Sequence, residues 1–111
     1  MFIVAAKSLF DALGNVRLVA GTGKGIKMTL HESFMVLSAD TEDGEARVEV
    51  EGTLDGPSGL EIGVNPEYLR QYLHEARDTD VELRFTNGES PLLVVSRDDK
   101  TYQGVIMPMR L

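Results

Sequence analysis

The last strand-like segment of the chain, Val105-Ile106-Met107-Pro108-Met109-Arg110-Leu111, joins an apolar run to a proline stop, two methionines and one cation. Methionine is unbranched and polarizable, so a methionine-lined surface re-packs around different apolar ligands, and the chemistry on offer is docking of varied partners. The same residues also describe a final strand tucked into the core with a frayed end. Catalysis has less to work with. The chain has no cysteine, His31 and His74 have no neighbour at metal-ligand spacing, and His31-Glu32 lacks the second histidine of a zinc-binding helix. Gly21-Thr22-Gly23-Lys24-Gly25 has the composition of a phosphate loop. It follows a helical pattern and precedes a strand pattern, the reverse of what a phosphate site needs, so it reads as a turn. The carboxylates fall mostly in turns or on outward strand faces, and no pair is placed for acid/base work. The expectation is a binding protein that is not an enzyme and needs no metal and no cofactor.

Two further groups stand out by spacing. Arg70, His74 and Arg77 lie four and three residues apart and share one flank of a helix, which ordinarily means a solvated face. Leu18 falls on the side of the first helix opposite Leu9 and Leu13, so the core does not account for it. Apolar surface left over on a helix often marks a partner, although single exposed leucines are common.

The elements that must position these residues are legible from periodicity. A short strand at 2–5 leads into a helical run over 7–20, where Leu9, Leu13, Val16 and Ala20 make one apolar stripe. Strand patterns follow at 25–30, 33–39 and 45–51, joined by His31-Glu32 and the acidic turn Thr41-Glu42-Asp43-Gly44. After Asp55-Gly56-Pro57-Ser58-Gly59 the order repeats. Leu60, Ile62 and Val64 alternate, Asn65-Pro66 offers a helix cap and a first-turn proline, and a helix to about residue 77 buries Leu69, Tyr72, Leu73 and Ala76. Strands at 81–85, 92–96 and 102–107 complete the second half, with hairpin signals at Asn87-Gly88 and Asp98-Asp99. The pattern is α+β: two β-α-β-β-β units with both helices on one face of antiparallel sheets.

Composition sets the outer bounds. At 111 residues the chain is a single domain over 1–111, large enough to bury roughly two-thirds of its unfolded surface. Without cysteine nothing argues for secretion, and the apolar stretch 1–6 is too short for a signal or membrane segment. A cytoplasmic protein with no membrane partner is expected. The net charge of −7 argues against simple electrostatic binding of nucleic acid, but its distribution is uneven. Carboxylates crowd 40–55, and cations gather in the second helix.

Met107-Pro108-Met109-Arg110-Leu111 resembles the carboxyl terminus of the bacterial sliding clamp family, the beta subunit of DNA polymerase III. Leu60-Glu61-Ile62-Gly63-Val64-Asn65 followed by Tyr68-Leu69 resembles the strand-to-helix passage of that clamp's third domain. Ser90-Pro91-Leu92-Leu93 resembles a loop-to-strand segment beside its peptide pocket. The resemblance covers essentially the whole chain, most weakly before Gly25, and corresponds to one of the three domains of a family protomer.

The resemblance implies a DNA-clamp domain in a replication processivity factor that tethers DNA polymerase III to DNA. It implies a peptide-binding groove of Asn65, Tyr68, Ser90, Pro91, Val105, Met107, Pro108, Met109 and Arg110, filled by partner peptides that carry a glutamine and large apolar residues. Lys7, Arg70, His74 and Arg77 become candidates to face duplex DNA without reading bases. Leu18 and Val19, with an acidic patch of Glu42, Asp43 and Glu45, match the place where the third domain meets a neighbouring protomer. The implied partners are the polymerase III catalytic subunit, the clamp loader and other clamp-binding peptides, duplex DNA within a ring, and other clamp domains or protomers. The other two domains and their linker are absent from the chain. It is then either a fragment of a full clamp or a stand-alone clamp-like module that competes for clamp partners without encircling DNA. A homo-oligomeric ring of identical single domains is a third arrangement.

Overall fold

The computed structural model describes residues 1–20, 25–41, 44–76, 78–87, 89–99 and 101–109, without the side chains of 17, 19, 20 and 41. The described elements are β1 (Phe2–Ala5), α1 (Ala6–Ala20), β2 (Ile26–Leu30), β3 (Phe34–Thr41), β4 (Gly44–Glu51), β5 (Thr53–Leu54), β6 (Glu61–Val64), α2 (Pro66–Ala76), β7 (Asp80–Arg84), β8 (Leu92–Ser96) and β9 (Gln103–Ile106).

Helix α1 forms where Leu9, Leu13 and Val16 recur four and three residues apart, and all three are buried. Ala20, placed on the same stripe by the sequence, has a side chain outside the described residues. Helix α2 starts as its sequence demands. The amide of Glu67 donates to Asn65 Oδ1 at 2.9 Å, and Pro66 occupies the first helical position, where a missing N–H costs nothing. Its inward face is Pro66, Leu69, Tyr72, Leu73 and Ala76.

The strands form two antiparallel sheets, one in the order β5-β1-β7-β8-β9 and one in the order β4-β3-β2-β6. The first strand of each half therefore pairs in the sheet of the other half. Phe2 lies opposite Leu83 across β1 and β7, and Met28 lies opposite Ile62 across β2 and β6. Two self-contained repeats, as the sequence pattern suggests, would keep β1 with β2 and β6 with β7; the chain instead exchanges them. The helices make this possible, because the 15 residues of α1 carry the chain about 22 Å from one sheet to the other. The two helices pack against each other, α1 also against β3 and β4, and α2 against β9. Inward side chains of both sheets and both helices merge into one apolar core that runs from Phe2 and Leu13 to Met35 and Ile106.

The two-residue strand β5 has no counterpart in the sequence reading, since two residues are too few to show a period. It turns the chain from one sheet to the other. The amide of Leu54 donates to Glu32 O at 2.9 Å and that of Gly52 to Ser33 O at 3.2 Å. Gly52 permits the corner: a Cβ there would lie 2.3 Å from Phe2 Cε1 and 2.6 Å from Ile3 O. Gly52→Ala is thus expected to push Phe2 out of its place and to cost about 1–3 kcal/mol, read as a lower urea midpoint at unchanged slope. Gly56→Ala has open space around its Cβ but a φ of +137°, so its cost is backbone strain alone and should be distinctly smaller.

Candidate functional site

The terminal segment leaves β9 on the edge of the five-stranded sheet and crosses to the other sheet. The amide of Met109 donates to Gly63 O in β6 at 2.7 Å, two residues before the Asn65 cap of α2. The tail, the start of α2 and the end of β6 thereby come together. Leu92 pairs with Ile106, so the Ser90-Pro91 segment enters β8 beside the point where the chain leaves β9. Asn87 Oδ1 holds that loop by accepting the amides of Glu89 and Ser90, each at 2.8 Å.

Around this junction the apolar residues are outside, where water would normally be met by polar ones. Tyr68, Val105 and Met107 are respectively 60%, 63% and 65% exposed, and Pro108 and Met109 are half-buried. The core alternative for the terminus is thus right for Ile106, which is buried, and wrong for its two neighbours. The sequence expectation of a strand through Met107 is shortened: β9 ends at Ile106, and Met109 turns to β6. Arg110 lies outside the described residues.

On the helix side one member of the basic flank is engaged within the fold. Arg70 is tied across the seam to α1: its Nε donates to Phe10 O at 3.4 Å, and its guanidinium carbon stands 4.2 Å from the centre of the Phe10 ring. Gly14 leaves the space, since a Cβ there would come within 3.1 Å of Arg70 Nη2. The ring of His74 lies 5.8 Å from that of Phe10, so two α2 side chains approach Phe10. Lys7 and His74 are exposed, Arg70 is half-buried, and Arg77 lies outside the described residues. Phe10 was missed in the sequence because its position borders the apolar stripe without being on it.

Leu18 is 77% exposed, as the helix pattern requires. Glu45, exposed on the edge strand β4, stands 3.4 Å from Arg47. The side chain of Val19, and both Glu42 and Asp43, lie outside the described residues. Glu82, absent from the sequence reading, is the buried carboxylate among the described residues. Arg84 Nη2 reaches it at 2.7 Å and Arg97 Nε at 3.8 Å, so it is a neutralised structural charge on the outer sheet face rather than an acid or base. Among the described residues no three acidic or histidine side chains gather in a way that could hold a metal ion.

Residues 1–110 match the family model described as the DNA polymerase III beta subunit, C-terminal domain. The chain is similar to the beta sliding clamp of Streptomyces coelicolor, 27% identical over 98% of this chain and 31% of that protein. It is also similar to that of Caulobacter vibrioides, 32% identical over 83% of this chain and 25% of that one. The crystal structure of the DNA polymerase III beta subunit from Thermotoga maritima superposes with a TM-score of 0.91 at 29% identity, covering 99% of this chain and 30% of the other. The chain thus spans about a third of the length of the relatives it matches.

The seam geometry gives Arg70 a stability role that a solvated arginine would not have. Arg70→Ala is expected to cost about 1–2 kcal/mol in chemical denaturation, from the lost ring contact and hydrogen bond. Arg70→Lys, which keeps the charge but loses the planar stack, should recover little of it, while Lys7→Ala should stay within about 0.5 kcal/mol.

Proposed function

This chain belongs to the family of carboxyl-terminal domains of the DNA polymerase III beta subunit, and on that premise we propose that it acts as a non-catalytic processivity element in DNA replication, holding partner proteins through a peptide-binding groove at its carboxyl terminus. The observation that carries the reading is the junction where the Met109 to Gly63 hydrogen bond gathers the tail and the capped start of α2. Tyr68, Val105 and Met107 lie exposed on the elements that meet there. Exposed apolar side chains supply affinity, and Asn65, Ser90 and the Tyr68 hydroxyl supply polar groups that orient a ligand. The occupants fitting this groove are short peptides with a glutamine followed by large apolar residues, borne by the polymerase III catalytic subunit, the clamp loader and other clamp-binding proteins. Pro91, Pro108, Met109 and Arg110 complete the proposed wall.

Leu18 and Glu45 suit a contact with another clamp domain or protomer, with Val19, Glu42 and Asp43 beside them in sequence. Duplex DNA would meet the helix side through Lys7, Arg70, His74 and Arg77. A cytoplasmic location goes with this role, and no helix among the described residues is long and apolar enough to cross a membrane. The net charge of −7 and the engagement of Arg70 with Phe10 favour one further reading, a peptide-binding module that competes for clamp partners without encircling DNA.

A synthetic peptide with one glutamine followed by two leucines and a phenylalanine should perturb the amide resonances of Tyr68, Val105 and Met107. Burying about 300 Å² of apolar surface sets a ceiling near 7 kcal/mol before ordering costs, so the dissociation constant should exceed about 10 μM. Removing 107–111 should abolish binding and leave the fold cooperative; a truncated chain that no longer unfolds cooperatively would make the terminus core, and perturbations far from β9 would refute the groove. The two readings separate on linear duplex DNA. The processivity reading expects weak binding at low salt that declines with a log–log slope of about −0.9 per phosphate contact, and the competitor reading expects none.

A further inference from the structure

Strand β9 has four residues and lies at the end of its sheet, where among the described strands it is laddered to β8. What holds it on the core side is a tyrosine pair. The rings of Tyr72 on α2 and Tyr102, just before β9, stack with centroids 4.5 Å apart and planes 10° from parallel. Their hydroxyls are exchanged: Tyr72 Oη donates to Tyr102 O at 2.6 Å, and Tyr102 Oη donates to Tyr72 O at 3.3 Å. Gly104 makes the arrangement possible, because a Cβ there would lie 2.7 Å from Tyr72 Cδ2 and 3.2 Å from Cε2. The ring is fixed by its stack and by the hydrogen bond of its own hydroxyl, so it has no cheap way to yield. Gly104 faces the core from the row of Val94, and its neighbour Val105 faces outward beside Leu93.

Resting on the docking groove proposed above, we propose that Tyr72, Tyr102 and Gly104 form a positioning lock that sets the register and height of β9 against α2, and so presents Val105 and Met107 to the incoming peptide. Helix α2 carries Tyr68 at one wall of the groove, and β9 carries Val105 at the other. The lock joins the two carriers directly, so the spacing between the walls is set by one ring thickness and two hydrogen bonds. A strand held on one edge alone would slide or lift, and each loose degree of freedom has to be frozen when a ligand binds. The tyrosines need no contact with the peptide to raise its affinity; they act by preorganisation.

The lock has its own spectroscopic signature. Burial pushes the phenols of Tyr72 and Tyr102 above the ordinary value of 10.0, helped by the charges of Asp99 and of Tyr102 for the first and of Glu75 for the second. The amide of Ser96, hydrogen-bonded in the same hairpin, also lies on Tyr102 O at 3.3 Å. The chain has three tyrosines and no tryptophan, so ultraviolet absorbance follows the locked pair against exposed Tyr68.

The test is a double-mutant cycle with the glutamine-leucine-leucine-phenylalanine peptide as probe. Gly104→Ala and Tyr72→Leu should each weaken binding about tenfold, and the double variant should bind no worse than either, because the alanine has no ring left to displace. In Gly104→Ala the raised tyrosine ionisation should move back down toward the ordinary phenol value. Tyr102→Phe, which keeps the stack and loses one hydroxyl, should weaken binding only about two- to threefold. Should Gly104→Ala fail to fold, the double variant and Tyr102→Phe still decide the matter. Peptide affinity unchanged in folded variants, or losses that simply add, would overturn the lock. Absence of binding by the unmodified chain would instead overturn the groove reading, and with it the docking role of the lock.

Discussion

The pairing of β1 with β7 and of β6 with β2 is the constraint from which the rest of this structure follows. Each half of the chain lends its first strand to the other sheet, so neither half has a complete sheet or a closed core without its partner. The apolar faces of both sheets and both helices are then forced into a single cluster, in which Phe2 from the first strand and Ile106 from the last belong to the same core. The exchange also sets where the proposed docking surface lies. The last strand, β9, belongs to one sheet and the strand that leads into α2 to the other, and the hydrogen bond from Met109 to Gly63 bridges them. A groove at that place has walls from both sheets, and its geometry reports on the packing of the whole domain.

Charge is distributed by the same logic. Outward strand positions carry the carboxylates, several with a cation alongside: Lys27 with Glu61 at 3.3 Å, Arg47 with Glu45 at 3.4 Å, and the pair of arginines on Glu82. The exposed pairs add little to stability, since solvent screens them and two long side chains must be ordered. Glu82 differs because it is buried, and there the arginines prevent a cost rather than supply a gain. On the helix side the balance tips the other way. Arg70 spends its guanidinium on the Phe10 ring and carbonyl, a use in which planar geometry matters more than charge.

What the sequence disclosed and what it hid divide along a physical line. Periodicity reports whether a residue faces a core, so the stripe Leu9, Leu13, Val16 and the alternation Ile26, Met28, Leu30 lead to the right elements, and Asn65-Pro66 marks the start of α2 to the residue. Periodicity says nothing of which strand lies beside which, and the exchange of β1 and β6 was therefore hidden. Features that depend on a partner far along the chain were hidden for the same reason. The contact of Arg70 with Phe10 spans 60 residues and that of Tyr72 with Tyr102 spans 30. A trace of each was nonetheless present. Gly104 lies inside a strand and Gly14 inside an otherwise regular helix, and a glycine inside an element often marks a close approach. The proposed groove was suggested only by resemblance, because composition alone fits a buried last strand equally well.

The near identity of fold at 29% sequence identity with the Thermotoga maritima protein indicates that the architecture tolerates extensive substitution so long as inward volume is kept. A docking surface asks for more than volume. It must stay exposed without collapsing into the core, and yet be mobile enough to accept different peptides. On the reading proposed above, a four-residue edge strand held by one ladder, one aromatic pair and the buried Ile106 meets both demands. Edge elements generally open at lower free energy than central ones, which leaves room to adjust. The pair stacked against its glycine returns it to one register each time, so the adjustment does not become disorder. On that reading, the exposed valine lies on an edge strand and the exposed methionine just beyond it, with the aromatic constraint on the helix behind, so the residues offered to a partner are separate from those that keep the fold.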